Sequence, residues 1–288
     1  MGAMDAMRNS VPGSLRFRKM HGLGNDFVVL DLISQRCNLR AGHIRRLADR
    51  REGIGCDQVL VIEAPRDPDA DFRYRIFNAD GREVEQCGNG VRCVARFVRE
   101  RRLTNRHSMV FETDTGTLRV RVRKDKQIEV DMGAPRLEPP DIPFTAPARA
   151  TSYPLALEGQ DLDISAVSMG NPHAVTLVND VDTAPVETLG PQVEAHPDFP
   201  EQVNAGFMQI ISPREVRLRV YERGVGETRA CGSGACAAVV AGRLRGLLDE
   251  KVTVHLTGGD LEIAWAGESQ AVMMTGPATT VFEGNFRL

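Results

Sequence analysis

Short runs of apolar, β-branched and aromatic residues, bounded by turn residues, occur along most of the chain and predict β-strands. In the first half the predicted strands cover residues 15–20, 27–33, 59–63, 72–77 and 117–123. In the second half they cover residues 174–178, 207–211, 216–221, 252–256 and 261–265. A last run, residues 279–288, also suits a strand, and the pattern leaves open whether it returns to the first half.

Helical periodicity is confined to three segments. Residues 41–51 are typical of a short amphipathic helix, and a longer helix is predicted after each of two cysteines, Cys87 and Cys231. After the first cysteine one apolar stripe recurs at helical spacing: Val91, Val94, Ala95, Phe97 and Val98. After the second, residues 235–248 are small or apolar until Arg243, which predicts a helix buried on most sides.

The chain contains an internal repeat around these cysteines. The first copy is Phe77-Asn-Ala-Asp-Gly-Arg-Glu-Val-Glu-Gln-Cys-Gly-Asn-Gly90. The second is Tyr221-Glu-Arg-Gly-Val-Gly-Glu-Thr-Arg-Ala-Cys-Gly-Ser-Gly234. The aromatic residue, one glutamate, the cysteine and both glycines coincide when the copies are offset by 231 − 87 = 144 residues. One such match alone is explained equally well by chance similarity between glycine-rich turns.

Two further matches support the repeat. Leu23-Gly-Asn25 resembles Met169-Gly-Asn171 at an offset of 171 − 25 = 146 residues, and the same offset places Gln58 opposite Asn204. Loops readily absorb the difference of two residues. Three blocks in one order indicate two similar domains rather than chance.

The mixture of strands and a few helices predicts an α+β fold with two pseudo-symmetric domains. We expect the first domain to cover residues 15–132, together with the strand 279–288, and the second to cover residues 133–278. The Pro-rich stretch 133–147 is the expected junction. Residues 1–14 have no pattern of their own and are interpreted as a tag or disordered extension.

Composition and charge exclude several classes of partner. A chain of 288 residues favours two domains, and 42% hydrophobic with 26% charged residues is ordinary for a soluble protein. A net charge of −3 gives no reason to expect nucleic acid or an anionic membrane as partner. No apolar run approaches the roughly 18 residues of a membrane span. Without an export signal we expect a cytoplasmic protein whose six cysteines are thiols.

Each Cys-Gly-x-Gly sequence is predicted to lie where a strand or loop passes into a helix. The first N–H groups of a helix are unpaired, and its positive end favours a carboxylate or a thiolate. The glycines allow close approach of the backbone to a ligand. Two such sites related by the repeat suggest two thiols that face one substrate from opposite sides, which is the arrangement that inversion of a stereocentre requires.

Structural, metal-binding and dinucleotide-binding interpretations of these residues also have to be weighed. A buried cysteine is usually a small inert hydrophobe, and we apply this to Cys37, Cys56, Cys93 and Cys236. A metal site is disfavoured because the cysteine spacings lack a short knuckle and no histidine pair supports them. A dinucleotide site is disfavoured because the glycine motifs lack the third glycine of that fingerprint.

Six segments in order resemble the diaminopimelate epimerase family from about residue 15 to residue 288. They are His21-Gly-Leu-Gly-Asn-Asp-Phe27, Phe77-Asn-Ala-Asp-Gly81, Cys87-Gly-Asn-Gly90, Met169-Gly-Asn-Pro-His173, Tyr221-Glu-Arg-Gly224 and Ala230-Cys-Gly-Ser-Gly-Ala-Cys-Ala237. The resemblance implies two pseudo-symmetric domains, each a mixed sheet or barrel around a central helix, with a cleft between them. It also implies interconversion of LL- and meso-2,6-diaminopimelate in bacterial lysine and peptidoglycan-precursor synthesis.

By this resemblance Cys87 and Cys231 are the proton-transferring pair, and His173 and Glu222 tune the pKa of the cysteines. The positions expected to bind substrate are Asn25, Gln58, Asn78, Gly88, Asn89, Asn171, Asn204, Glu222, Arg223, Gly232 and Ser233. The partner is a small amino acid, without nucleic acid, membrane, metal or any cofactor. A homodimer is left open.

Alternatives also stand beside these roles. Asn25 and Asn171 are also typical turn residues, Glu222 and Arg223 could be a solvated surface pair, and His173 could be a surface histidine. At the level of function, the same fold suits a racemase of proline or hydroxyproline. A non-catalytic two-lobed amino-acid-binding protein and a cysteine-rich zinc module are the hypotheses from other classes.

Overall fold

A computed structural model describes residues 14–84 and 88–288. Its backbone contacts divide the chain into two compact units. Among the described residues, unit 1 contains 14–22, 26–84, 88–119 and 278–288, and unit 2 contains 23–25 and 120–277. Ser14, which the sequence assigned to the extension, is the first residue of a strand.

Most of the regular structure is β-strand. The strands are β1 Ser14–Gly22, β2 Asn25–Asp31, β3 Gln58–Glu63, β4 Phe72–Asn78, β5 Glu83–Val84, β6 Ser108–Thr113, β7 Gly116–Val122, β8 Ile128–Asp131, β9 Tyr153–Leu157, β10 Gln160–Ser168, β11 Pro172–Leu177, β12 Asn204–Ser212, β13 Glu215–Glu222, β14 Gly226–Thr228, β15 Lys251–Leu256, β16 Gly259–Ala264, β17 Met273–Gly276 and β18 Thr279–Arg287. The helices are α1 Ala41–Ala48, α2 Gly88–Glu100, α3 Val186–Glu194 and α4 Gly232–Leu244, with a 3₁₀ turn at Pro139–Asp141.

The two units repeat one order of strand pairing. In unit 1, β18 pairs antiparallel with β1, β2 runs parallel to β3, and β4 pairs antiparallel with β3 and β5 but parallel with β6. Unit 2 has the same pairings in the same directions. Strand β9 pairs antiparallel with β10, β11 runs parallel to β12, and β13 pairs antiparallel with β12 and β14 but parallel with β15. The strand that completes unit 1 beside β1 therefore comes from the far end of the chain.

Side-chain detail also repeats between the units. Arg75 on β4 pairs with Glu83 on β5 at 2.6 Å, and Arg219 on β13 pairs with Glu227 on β14 at 2.6 Å. Each pair links the two strands of a hairpin that precedes a central helix. The repeat seen in the sequence is thus a repeat of strand pairing and of contacts across the strands.

The two central helices differ in their surroundings. Helix α2 buries the predicted stripe and contacts β1, β3 and β4, while its polar side includes the partly exposed Arg96 and Glu100. Helix α4 is buried along almost its whole length and contacts strands of unit 2 from β10 to β17. An amphipathic helix and an apolar helix of equal length therefore occupy equivalent places.

The sequence placed several boundaries correctly and missed others for identifiable reasons. Helix α1 ends at Ala48, not at residue 51, because the Asp49 carboxylate accepts the N–H groups of Arg51 and Glu52 and closes a turn. Helix α4 ends at Leu244 because Gly246 takes a positive φ of 70° and its N–H group bonds back to the helix. The sequence did not predict α3, β5, β6, β8, β9, β10, β14 or β17.

Across residues 14–84 and 88–288, no helix is long and apolar enough to cross a membrane.

Gly190 lets helix α3 lie directly on β13. A Cβ atom added at this position would lie 2.5 Å from Cγ of Tyr221, which is far inside van der Waals contact. We expect Gly190→Ala to lower the free energy of unfolding by about 1–3 kcal/mol, since overpacking forces backbone shifts. Urea unfolding measures this. The matched control is Glu187→Ala on the exposed side of the same helix; equal stability of the two variants would contradict the close contact.

Candidate active site

Cys231 lies at the N-terminus of α4 and is the residue that caps the helix. Its backbone is extended, Gly232 is the first helical residue, and the side chain is 4% exposed. The Sγ atom lies 3.6 Å from the Ser233 hydroxyl. A Cβ atom on Gly234 would lie 3.2 Å from that sulfur, so glycine leaves the space that the thiol occupies. The sequence correctly predicted this junction.

Glu222 at the end of β13 interacts with this thiol. Its Oε1 atom accepts a hydrogen bond from the Thr228 hydroxyl. Burial raises the pKa of Glu222, and hydrogen bonds from Thr228 and Cys231 oppose that rise. Burial, followed by the negative charge of Glu222, raises the pKa of Cys231 well above its usual range, while Ser233 and the Gly234 N–H act in the opposite direction. Cys231 is therefore a neutral thiol at neutral pH.

Asn171, His173 and Asn204 lie together where the parallel strands β11 and β12 begin. His173 is the register partner of Asn204. The Asn204 side chain donates to the Pro172 carbonyl at 2.8 Å and accepts the Arg223 N–H at 3.0 Å. The Asn171 amide oxygen lies 3.2 Å from Nε2 of His173. These bonds connect the start of β11 to the residue that follows Glu222.

His173 is 1% exposed, so it is not a surface histidine. Burial, with a smaller contribution from the positive charge of Arg223, lowers the pKa of His173 to about 3. The imidazole is therefore uncharged at neutral pH. If it influences the thiol, it does so as a neutral group rather than as a cation.

Glu222 and Arg223 turn to different partners. The Arg223 guanidinium is exposed and donates to the Glu201 carbonyl at 2.9 Å, whereas Glu222 faces Thr228 and Cys231. The two residues are therefore not the solvated pair that the sequence left open. Arg223 remains accessible to a ligand.

In unit 1 the corresponding polar residues are neutral. Gln58 and Asn78 are register partners on β3 and β4, and the Gln58 amide donates to Asn78 Oδ1 at 2.9 Å. At the repeat offsets they occupy the places of Asn204 and Glu222. Asn25, which belongs to unit 2, begins β2 after a turn in which Leu23 and Gly24 both have positive φ.

Helix α2 begins at Gly88, as the sequence predicted, and Cys87 lies outside the described residues. Asn89 is 4% exposed, and its side chain accepts a hydrogen bond from the fully buried Arg92 at 2.9 Å. Arg92 also lies 3.4 Å from the Gly88 carbonyl. Sequence reasoning missed Arg92, because a single basic residue inside a helical stripe usually faces solvent.

A second feature missed in the sequence is an ion-pair network around Asp26. Its carboxylate accepts from Lys19 at 2.5 Å and from Arg50 at 2.7 Å, and Lys19 also donates to the Gly55 carbonyl. Burial opposes ionisation, but the hydrogen bonds and charges of Arg50 and Lys19 prevail and lower the pKa of Asp26 to about 2. Asp26 also accepts a hydrogen bond from the Asp57 N–H at 3.0 Å. The network therefore connects the residue that follows Asn25 to the residue that precedes Gln58.

Of the remaining cysteines, three are buried, as expected for inert hydrophobic residues, and one is partly exposed. Cys93 and Cys236 are fully buried inside α2 and α4. Burial raises the pKa of Cys56 to about 12. Cys37, expected to be buried, is partly exposed, although burial still raises its pKa.

Comparison with known proteins identifies the family. The sequence profile described as "Diaminopimelate epimerase" matches residues 17–138 and 165–281. The chain belongs to the diaminopimelate epimerase family. Diaminopimelate epimerase from Thioalkalivibrio sulfidiphilus is 63% identical over 273 residues, which cover 94% of this chain and 98% of that protein. The enzyme from Teredinibacter turnerae is 61% identical and covers 95% and 99%.

Solved structures of other proteins have a similar fold. A phenazine biosynthesis protein from Bacillus anthracis aligns with a TM-score of 0.69 at 18% identity, covering 96% of this chain and 99% of that one. A hydroxyproline epimerase from Agrobacterium vitis aligns with a TM-score of 0.68 at 16% identity, covering 96% and 93%. At such identities the likeness shows the fold alone. Membership of the diaminopimelate epimerase family identifies the chain as an isomerase. It therefore argues against the zinc-module and binding-protein hypotheses.

The neutral state of His173 predicts a pH effect. Since the unfolded imidazole takes up a proton near its usual pKa of 6.5 and the folded one only near 3, stability should fall as pH drops through this window, by roughly 2–4 kcal/mol. NMR should show no titration of His173 above pH 4. His255 provides the internal contrast: partial burial lowers its pKa, but hydrogen bonds to Asp260 and Glu215 raise it overall. Titration of His173 near pH 6.5 would contradict the burial argument.

Proposed function

We propose that this protein interconverts LL- and meso-2,6-diaminopimelate without a cofactor, with Cys87 and Cys231 exchanging the α-proton. The observation that carries the proposal is the position of Cys231. It is a buried thiol at the N-terminus of α4, beside the partly buried carboxyl group of Glu222, in the second copy of a repeat whose first copy contains Cys87. Membership of the diaminopimelate epimerase family supplies the substrate.

Inversion requires a base on one face of the α-carbon and an acid on the other. Because burial and the Glu222 charge favour the protonated form of Cys231, this residue enters the cycle as the acid. The scheme then needs Cys87 as the thiolate, which removes the α-proton while Cys231 delivers its own proton to the opposite face. The product leaves Cys87 as thiol and Cys231 as thiolate, which is the state that starts the reverse reaction.

Backbone N–H groups stabilise the charge that develops during proton transfer. Gly232 and Ser233 open α4, and Gly88 and Asn89 open α2, so their N–H groups lie at the positive end of a helix, which favours a carboxylate. We assign them to the α-carboxylate of the substrate, whose charge grows as the carbanion forms. The exposed Arg223 and the neutral amides Asn25, Gln58, Asn78, Asn171 and Asn204 are assigned to the remaining carboxylate and ammonium groups.

Separate Cys87→Ala and Cys231→Ala variants test the two-thiol scheme. Each should lower epimerisation of both isomers by at least about 10³-fold, because neither direction can proceed without an acid and a base. The measurement is turnover with incorporation of deuterium from solvent at the α-carbon, without added cofactor.

Cys236→Ala is the matched control, since this cysteine lies in the same helix but is surrounded by core residues. It should keep most of the activity. Substantial turnover in either single variant would refute the scheme. A panel that includes proline and hydroxyproline separates diaminopimelate from a racemase substrate.

We also propose a cytoplasmic homodimer. The thiols that the reaction needs persist in a reducing compartment. Strand β18, which pairs with β1, exposes Val281 and Phe282, at 55% and 47%, and exposed apolar side chains on a strand favour contact with another chain. Sedimentation should give about twice the chain mass of 31.6 kDa, and Phe282→Glu should shift the protein to monomer. Ile211→Glu is the control for an exposed apolar residue elsewhere; a monomeric wild type would contradict the dimer.

A further inference from the structure

Thr228 has contacts that the proposed reaction leaves unexplained. It ends β14, three residues before Cys231, and its register partner on β13 is Val220. Its hydroxyl donates to Oε1 of Glu222, on the neighbouring strand. The same carboxylate acts on the thiol, since the negative charge of Glu222 adds to burial in raising the pKa of Cys231.

The strand geometry explains why this contact is specific. Glu222 pairs with Gly226, which has no side chain, so the nearest side chain on the same face of β14 is the diagonal neighbour Thr228. Gly226 also has a φ of 98°, which closes the hairpin sharply before Thr228.

The first copy of the repeat lacks both groups. At the offset of 144 residues, Asn78 stands in the place of Glu222 and Val84 in the place of Thr228. Val84 pairs with Ile76 as Thr228 pairs with Val220. Valine therefore fits this strand position, and the hydroxyl occurs in the copy that has a carboxylate to receive it.

We infer that Thr228 is a positioning residue, which holds the Glu222 carboxylate charged and directed at Cys231, so that Cys231 rests as the thiol. The inference rests on the proposed role of Cys231 as acid. A hydroxyl donor stabilises the ionised carboxylate, whose burial otherwise favours protonation. Without the donor, Glu222 takes up a proton and its negative charge no longer opposes the thiolate.

The described groups that act on the thiol define the experiment. Glu222 acts from β13, and the Ser233 hydroxyl and Gly234 N–H act from α4. His173 is uncharged at neutral pH, and Arg223 turns outward to Glu201. Removing the Thr228 hydroxyl therefore changes the charge beside the sulfur mainly through Glu222.

The test compares Thr228→Val, Thr228→Ser and Glu222→Gln in the full chain. Iodoacetamide labelling of Cys231 is followed by mass spectrometry across pH, since the rate reports the thiolate fraction, tenfold for each pKa unit. Thr228→Val should label about 3–10-fold faster than wild type at pH 8, as should Glu222→Gln. Thr228→Ser should stay within about twofold of wild type, and Thr228→Val should add nothing in the Glu222→Gln background.

The outcomes separate this inference from the proposed function. If Cys231 is labelled at the wild-type rate in Thr228→Val but faster in Glu222→Gln, only the positioning role of Thr228 is overturned. Faster labelling of Thr228→Ser, equal to that of Thr228→Val, would also overturn it, because serine keeps the hydroxyl. Wild-type labelling of both Thr228→Val and Glu222→Gln would overturn the effect of Glu222 on the thiol and this inference with it. The two-thiol reaction is judged independently, by turnover of the cysteine variants.

Discussion

The chemistry of the second unit depends on burial of one ionisable group, the Glu222 carboxyl, against another, the Cys231 thiol. Two neighbouring negative charges that are partly shielded from water repel each other strongly, so ionisation of one group disfavours ionisation of the other. The carboxylate receives a hydrogen bond from Thr228, whereas burial and the charge of Glu222 prevail over Ser233 and Gly234 in raising the pKa of Cys231. The negative charge therefore resides on Glu222, and the proton stays on sulfur.

The repeated fold sets this polarity by small substitutions on a common backbone. Glu222 and Thr228 in one copy correspond to Asn78 and Val84 in the other, and the buried Arg92 corresponds to Cys236. The substitutions add negative charge in unit 2 and positive charge in unit 1 without changing the strand order. The same strand order thus carries different charges in its two copies, and the reaction proposed above needs an acid in one copy and a base in the other.

Much of this architecture was predictable from sequence, because the repeat, the strand runs and the helix starts are local signals. The Cys231–Gly232 junction and the buried stripe of α2 followed from periodicity and glycine placement. The ends of α1 and α4 depended on the Asp49 turn and on the conformation of Gly246, which periodicity does not register. The contact of Thr228 with Glu222 depends on which residues face each other across two strands, and that requires the register.

The surroundings of the thiol also explain why its polar neighbours are mostly neutral. Burial and the charge of Arg223 lower the pKa of His173 to about 3, so this imidazole adds no positive charge where β11 begins. Asn204 satisfies the Pro172 carbonyl and the Arg223 N–H without adding charge. Because neutral groups meet these hydrogen-bonding needs, the charge of Glu222 adds directly to the effect of burial on Cys231, and the Thr228 hydroxyl acts on the thiol through this carboxylate.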